Sequence, residues 1–354
     1  VVADGYVAAK AGRDALAIEW DEGVWNDLDD AEIFGRFEAA VREGGKSTRD
    51  DGDVDAAFAA GRELIRATYT LPYLAHATME PMACTARVDG DRAEVWAGVQ
   101  DPLNARATAA DALDLDVEHV QFTNLQLGGG FGRRLPFTLD YIDLGARIAK
   151  AMSPTPVKSV WSRENDIQHD YYRPAGMARF AGALDTSGTP LAVASHYAGG
   201  GNGEAVYMPY AIADKRADGR DAPHRVRLGQ WRSVLNSQHG FFKESFIDEM
   251  AHAAGKDPYL FRHDLLSDQP RFRAALERVA AARPGVVGQV DDYDGVARIR
   301  RFHRARLRRR RRGEQQQRQQ RNQGPHRRRV FRAVNRRAAI GAARAVGPPR
   351  CPRS

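Results

Sequence analysis

The strongest chemical signal in the chain is a run of glycines that ends in two arginines. Residues 128–134 read GGGFGRR, after an apolar segment and before a helical pattern. Glycine admits backbone conformations with positive φ and leaves room for backbone N–H groups to approach a ligand closely. The run therefore suits an anionic or oxo-bearing ligand, and it fails the spacings of dinucleotide and P-loop phosphate sites. Read by itself, it also fits a plain tight turn.

Two sets of residues that could bind a metal do not match the pattern of a metal site. His76 and Glu80 are four residues apart, a helical spacing, but prolines flank them and no third ligand is evident. The two cysteines, Cys84 and Cys351, are far apart and lack Cys-x-x-Cys spacing. A disulfide framework, a zinc knuckle and an iron–sulfur cluster are therefore not expected within this chain. Cys84 lies in an apolar stretch and is interpreted as a small buried hydrophobe.

Five blocks of sequence, in a fixed order, carry a resemblance to a known family. They are 73–84 (YLAHATMEPMAC), 94–102 (EVWAGVQDP), 128–134 (GGGFGRR), 161–173 (WSRENDIQHDYYR) and 230–252 (QWRSVLNSQHGFFKESFIDEMAH). Together they resemble the molybdopterin-binding large subunits of the xanthine dehydrogenase/aldehyde oxidase family. The isoquinoline 1-oxidoreductase beta-subunit branch is most similar, because its members often carry GGGFGRR where xanthine dehydrogenases carry GGGFGGK. The resemblance covers about residues 1–282.

The resemblance implies which residues contact the cofactor. The matching positions are Gln100, Gly129, Gly130, Phe131, Gly132 and Arg232. No protein ligand to the metal is implied, since the molybdenum is held through its pterin. The family's catalytic glutamate lies in a glycine-rich block near the far C-terminus, and no such block occurs here, so the catalytic residue is left unassigned. Ser233-Val234-Leu235 replace the family's Gly-Phe-Gly, which removes the phenylalanine that sandwiches flat substrates and puts purine specificity in doubt.

The resemblance also implies a function. The cofactor would be molybdopterin cytosine dinucleotide, and the substrate an aldehyde or an N-heteroaromatic compound oxidised with oxygen from water. Electrons would leave through a small [2Fe–2S] partner subunit, and from there to a cytochrome or another acceptor. The chain is expected to be a fragment of such a subunit, and inactive by itself. Its compartment, cytoplasmic or periplasmic, is left open, since no signal region is visible at the N-terminus.

Each candidate residue has an ordinary structural interpretation as well. Gln100 also fits a polar residue at the end of a strand, and Phe131 a core aromatic residue under a turn. Arg133 and Arg134 are typical of surface ion pairs, the expected role of at least one of them. Arg232 beside Trp231 fits a structural cation–π pair. These alternatives stay open at the level of sequence.

The hydrophobic pattern predicts an α+β fold without a clean βαβ repeat. Helices are predicted over 3–17, 29–44, 54–66, 105–112, 137–151, 238–254, 257–267 and 270–282, and strands over 66–71, 84–88, 92–97, 117–126, 157–162, 175–182 and 190–197. Asp257-Pro258 is typical of a helix start. Residues 43–53 and 198–220 are predicted to be loops, because the first is polar and the second is rich in glycine.

The positive charge of the chain is confined to its last fifth. Residues 283–354 hold 22 arginines and 4 acidic residues, although the whole chain of 354 residues carries a net charge of only +7. We predict a disordered tail there, most simply the product of a frameshift near residues 280–290. The alternative is a non-enzymatic, nucleic-acid-binding protein that uses the tail, but nucleic acid is the less favoured partner because the tail has few aromatics.

The predicted domain organisation has three parts. Residues 1–45 are the end of a smaller preceding domain, residues 54–282 are the first part of the cofactor domain, and residues 283–354 are the tail. No apolar run is long enough for a membrane span.

Overall fold

The computed structural model of this chain contains two mixed β-sheets, each covered by helices. The structure describes residues 1–21, 23, 28–61, 63–199, 208–222 and 224–282. The helices are α1 (Tyr6–Asp14), α2 (Asp30–Glu43), α3 (Val54–Ala60), α4 (Pro102–Leu113), α5 (Asp140–Ala151), α6 (Arg163–Gln168), α7 (Asn236–Ala253), α8 (Pro258–Leu265) and α9 (Pro270–Ala282). The strands are β1 (Lys46–Asp51), β2 (Glu63–Leu71), β3 (Ala83–Asp89), β4 (Arg92–Ala97), β5 (Val120–Asn124), β6 (Val157–Val160), β7 (Gly176–Leu184), β8 (Pro190–Gly199) and β9 (Asp214–Arg220).

The larger sheet has five strands in the order β1-β9-β8-β7-β2. Only β8 and β9 are parallel, and the other neighbours are antiparallel. Helix α7 covers one face, where Phe246 stacks on Phe180 of β7 with ring centroids 5.0 Å apart. Helices α2 and α3 cover the other face. Because both faces are covered, β7 and β8 are apolar along most of their length rather than alternating.

The smaller sheet has four strands in the order β5-β4-β3-β6. Strands β4 and β5 are parallel and α4 connects them, so one βαβ unit is present although the sequence showed no clean repeat of this kind. Helix α5 packs closely on β3 at Gly145, where an added Cβ would lie 2.8 Å from Sγ of Cys84. Cys84 is confirmed as a buried residue, and burial raises the pKa of its thiol to about 12.

The predicted apolar elements are found, with shifted ends. Asp257 caps α8 as expected, since its carboxylate accepts from the backbone N–H of Tyr259 at 2.9 Å. The helix predicted over 54–66 ends at Ala60, where Gly61 is its C-cap, and β2 follows at once. The α+β class is confirmed.

Two predicted loops contain strands. Residues 43–53 include β1, and 198–220 include β9, which pair with each other through Lys46 and Gly219. The loop predictions are wrong there because both strands are polar and β1 is exposed along the sheet edge, so neither shows an apolar alternation.

The predicted domain organisation stays a prediction. Helix α2 packs on β7 and β8, so residues 30–43 share a core with the larger sheet. The boundary at residue 45 stays a prediction, and the arginine-rich tail, 283–354, lies outside the described residues. No helix in the described part of the chain is both long and apolar enough to cross a membrane.

Candidate functional site

The glycine loop, residues 128–132, connects β5 to a short 3-10 turn, Pro136–Thr138. Its backbone enters the left-handed region three times, with φ of +109° at Gly129, +55° at Phe131 and +109° at Gly132. Glycine adopts these values at little cost, whereas a residue with a side chain pays about 1–2 kcal/mol. Phe131 is therefore strained, and strain of this kind concentrates at ligand sites.

Two glycines of the loop allow distant segments of the chain to approach it. A Cβ added to Gly130 would lie 2.5 Å from Oε1 of Gln100. A Cβ added to Gly132 would lie 1.9 Å from the carbonyl oxygen of Gln230, a backbone atom that cannot easily move away. The fold thus brings together three of the blocks that carried the resemblance.

Gln100 follows β4 and holds the loop through its carboxamide. Its Oε1 accepts hydrogen bonds from the backbone N–H of Gly132 at 3.0 Å and of Arg134 at 3.4 Å. Two backbone donors identify this atom as the oxygen, so the amide NH2 is the outer end of the side chain. That NH2 makes no hydrogen bond to any described residue, and the side chain is exposed.

The loop also offers backbone donors that the described residues leave unused. The N–H groups of Gly128 and Gly132 are bonded, to Glu80 and Gln100. The three N–H groups between them, of residues 129–131, have no hydrogen-bond partner in the described part of the chain. Consecutive backbone donors beside a neutral NH2 group suit an anion or a metal-oxo group. The donor set therefore fits the oxo-bearing pterin cofactor that the resemblance implies.

Arg134 is fully buried and fastens the loop to the neighbouring segments. Its guanidinium donates to the carbonyl oxygens of Gly129, Gly98 and Glu80, each at 2.9 Å, and to the Glu80 carboxylate at 3.0 Å. The same carboxylate accepts from the N–H of Gly128 at 2.9 Å. The rigid fork of arginine suits a task of this kind, which a lysine could not perform.

Arg133 is fully buried as well, and it contacts a different set of residues from Arg134. It donates to the carbonyl of Thr138 and, at 2.8 Å, to the carboxylate of Asp140. Its Nε lies 2.8 Å from Oδ1 of Asp170, an ion pair in which the N–H does not point at the oxygen. Three aromatic rings lie within 5.9 Å of its guanidinium carbon, those of Tyr141, Trp161 and Tyr171. The expectation of surface ion pairs is wrong for both arginines, since each side chain has 0% exposure.

His76 belongs to the site, which the sequence did not indicate. Its Nδ1 lies 2.9 Å from Oδ2 of Asp170, and its Nε2 lies 2.7 Å from the carbonyl oxygen of Gln230. Its ring faces that of Trp231 at 4.9 Å. No spacing rule could have found these contacts, because Asp170 is 94 residues away in sequence. Among the residues that the structure describes, no group of three His, Cys, Asp or Glu side chains is arranged to hold a metal ion.

Two large apolar side chains next to the loop face solvent. Phe131 is 44% exposed, so its interpretation as a core aromatic is wrong. Met79 is 84% exposed. It lies beside Gly129, since a Cβ added to that glycine would be 3.7 Å from the backbone nitrogen of Met79. Exposed apolar groups beside unused polar donors are typical of a binding site for an organic molecule.

The turn at 230–235 brings its backbone, but not its arginine, to the loop. Arg232 is exposed and its guanidinium pairs with no described residue, while Trp231 lies against His76 instead. Ser233 and Val234 follow with φ of +68° and +52°, conformations that favour glycine. The cofactor roles of Gln100, residues 129–132 and Arg232 stay predictions. The fold places Gln100 against Gly130 and Gly132 of the loop and leaves the side chain of Arg232 exposed.

Residues 38–265 match the family model described as the molybdopterin cofactor-binding domain. The chain therefore belongs to the molybdopterin-binding xanthine dehydrogenase/aldehyde oxidase family. The resemblance based on the five blocks is confirmed.

Curated relatives agree with this assignment. The chain is 29% identical over 300 residues to the "membrane-bound aldehyde dehydrogenase [pyrroloquinoline-quinone]" of Gluconacetobacter polyoxogenes, covering 77% of the chain and 38% of the relative. It is 30% identical over 276 residues to the aldehyde oxidoreductase molybdenum-binding subunit PaoC of Escherichia coli K12, covering 74% and 36%. It is 26% identical over 311 residues to isoquinoline 1-oxidoreductase subunit beta of Brevundimonas diminuta, covering 79% and 39%. The chain thus spans less than two fifths of each of these relatives.

Solved structures share the fold. Aldehyde oxidoreductase from Desulfovibrio gigas superposes with a TM-score of 0.53 at 20% identity, covering 61% of this chain and 25% of that one. Reconstituted CO dehydrogenase from Oligotropha carboxidovorans superposes with a TM-score of 0.54 at 18% identity, covering 75% and 36%. At these identities the similarity establishes the molybdenum-cofactor-binding fold alone.

Proposed function

We propose that this chain forms part of a molybdenum hydroxylase subunit that oxidises an aldehyde or an N-heteroaromatic substrate with oxygen from water. The proposed cofactor is molybdopterin cytosine dinucleotide, and the proposed electron acceptor is a small [2Fe–2S] partner subunit, which passes electrons to a cytochrome or another acceptor. The observation that carries the proposal is the unused donor set of residues 129–131 beside the NH2 group of Gln100.

The relatives support molybdenum over the other cofactor that their names contain. One relative is named for pyrroloquinoline quinone, whereas the matched family model is described by molybdopterin and the Escherichia coli relative by molybdenum. The names of the relatives include both aldehyde and isoquinoline oxidation, which supports the two substrate classes equally.

When bound, the cofactor supplies the redox chemistry, and the protein supplies position and polarity. The backbone N–H groups of residues 129–131 would donate to oxygen atoms of the group and hold it at the loop. The NH2 of Gln100 adds a neutral donor, which binds a metal-oxo group without introducing charge. Phe131 and Met79 offer apolar surface to an organic substrate at the edge of the same loop.

A charge-changing variant with a matched control tests the proposal. Gln100→Glu retains the oxygen that accepts from Gly132 but replaces the outer NH2 by a carboxylate oxygen, which repels an oxo group. Gln121→Glu makes the same change at an exposed position of β5. We expect Gln100→Glu to lower bound molybdenum and pterin by at least about tenfold, the effect of losing a charge-assisted hydrogen bond. Gln121→Glu should match the unmodified chain.

The measurement is molybdenum by mass spectrometry and pterin by fluorescence, on the full chain purified from cells grown with molybdate. Release of cytidine monophosphate on hydrolysis would support the cytosine dinucleotide form. If the unmodified chain holds neither molybdenum nor pterin and binds RNA with a steep dependence on salt, the alternative of a nucleic-acid-binding protein replaces the proposal.

A further inference from the structure

Asp170 is a buried carboxylate surrounded by donors. Its Oδ2 accepts from the backbone N–H of His76 at 2.5 Å, and Nδ1 of His76 lies 2.9 Å from the same oxygen. Its Oδ1 accepts from the backbone N–H of Tyr171 at 2.7 Å and forms the ion pair with Arg133. Each carboxylate oxygen thus accepts from a backbone N–H, and the guanidinium of Arg133 lies beside Oδ1, so these neighbours of the Asp170 carboxyl are all donors.

Both ring nitrogens of His76 face oxygen atoms. Nδ1 faces the Asp170 carboxylate, and Nε2 faces the carbonyl oxygen of Gln230 at 2.7 Å. A neutral imidazole carries one N–H and could satisfy only one of them, leaving two acceptors in contact at the other. A hydrogen on each nitrogen satisfies both oxygens, and a ring that carries both hydrogens is an imidazolium ion.

The surroundings can hold this buried charge. Arg133 and Arg227 are the other positive groups of the cluster, and the carboxylates of Asp170, Asp140 and the buried Asp166 oppose them. The Trp231 ring, 4.9 Å away and tilted by 34°, adds the attraction between a cation and an aromatic face.

The carbonyl that His76 holds is the one that lies against the glycine loop. The oxygen of Gln230 occupies the space where a side chain of residue 132 would begin. Ser233 and Val234, three and four residues further along the chain, are both strained in the left-handed region. A strained turn persists only where neighbouring contacts hold it. The bond from Nε2 of His76 is such a contact, at the point where the turn meets the loop.

We infer that His76 is a buried imidazolium that acts as a positioning residue: it fastens the Gln230 carbonyl against Gly132 and so sets the distance between the glycine loop and the 230–235 turn. The consequence for cofactor retention rests on the proposed function. The protonation of the ring and the anchoring of the turn do not.

The protonation is measured directly by NMR on the full chain labelled with 15N-histidine at neutral pH. The spectrum of His76→Gln identifies the signals of residue 76. We expect both ring nitrogens to appear protonated. A ring with one protonated and one bare nitrogen overturns the inference.

Two variants with an amide side chain at residue 76 test the two hydrogen bonds of the His76 ring separately. In His76→Gln the terminal NH2 takes the place of Nε2 and still donates to Gln230, whereas in His76→Asn the shorter side chain reaches only Asp170. Amide hydrogen exchange over residues 230–235 should be at least about tenfold faster in His76→Asn, and close to the unmodified rate in His76→Gln. His119→Asn, at a partly exposed position in the 3-10 turn before β5, is the control for the substitution itself. Equal exchange in the two His76 variants would show that the residue does not anchor the turn.

Molybdenum content distinguishes this inference from the proposed function. A chain that binds no molybdenum but shows the imidazolium and the exchange difference retains the anchoring and loses the proposed function. A chain that binds molybdenum equally in unmodified and His76→Asn forms contradicts the consequence for the cofactor.

Discussion

Replacing Gly132 by alanine is expected to destabilise the fold by about 2.5–5 kcal/mol. Alanine pays about 1–2 kcal/mol in the left-handed region, where Gly132 has φ of +109°. Its Cβ would begin 1.9 Å from the Gln230 oxygen, so the two chains must separate by about 1.5 Å to reach an ordinary 3.4 Å contact. That separation breaks the charge-assisted bond from His76, which contributes about 1.5–3 kcal/mol.

Gly90→Ala is the matched control. Gly90 lies in the turn between β3 and β4 with φ of +60°, and a Cβ there would meet nothing within 4 Å. Only the conformational cost of about 1–2 kcal/mol applies to it. Urea denaturation of the full chain, followed by circular dichroism, gives the free energy of unfolding of each variant. Equal losses for Gly132→Ala and Gly90→Ala would refute the close contact between the loop and the Gln230 turn.

Three further predictions use the same denaturation measurement. Arg134→Met should lower the free energy of unfolding by about 3–5 kcal/mol, because it leaves buried acceptors unpaired. The control Arg147→Met, at an exposed ion pair within a helix, should lower it by about 0.5 kcal/mol or less. Similar losses in the two variants would contradict the role of Arg134 in fastening the glycine loop. Burial lowers the pKa of His239 to about 3, so its stabilising contribution is fully present above pH 6.5 and is lost as the pH falls towards 3. In His239→Leu the loss of stability with falling pH should be smaller by about 1.4 kcal/mol per unit over that range, and an unchanged slope would count against a neutral buried ring. Val234→Gly should raise stability by about 1 kcal/mol by relieving strain, and a decrease would mean that the turn is not strained.

The sequence by itself determined the features that depend on local pattern. Apolar strands such as β7 and β8 were predicted because a run of hydrophobic side chains in the sequence indicates a buried segment. Helix α8 was predicted from its Asp257-Pro258 start, which acts within one turn. The glycine loop was recognised as the candidate site because GGGFG is contiguous, and the order of the five blocks was sufficient for the family.

Only the tertiary structure decided the features that depend on distant partners. Strands β1 and β9 are polar, and hydrogen bonds between segments about 170 residues apart make them strands. Arg133 and Arg134 were expected at the surface, since a charge is costly to bury until its partners are known. Arg133 meets Asp170, and Arg134 meets backbone carbonyls that precede it by up to 54 residues. His76 became part of the site for the same reason: its position follows from a carboxylate and a carbonyl that the fold, and not the local sequence, brings to its two ring nitrogens.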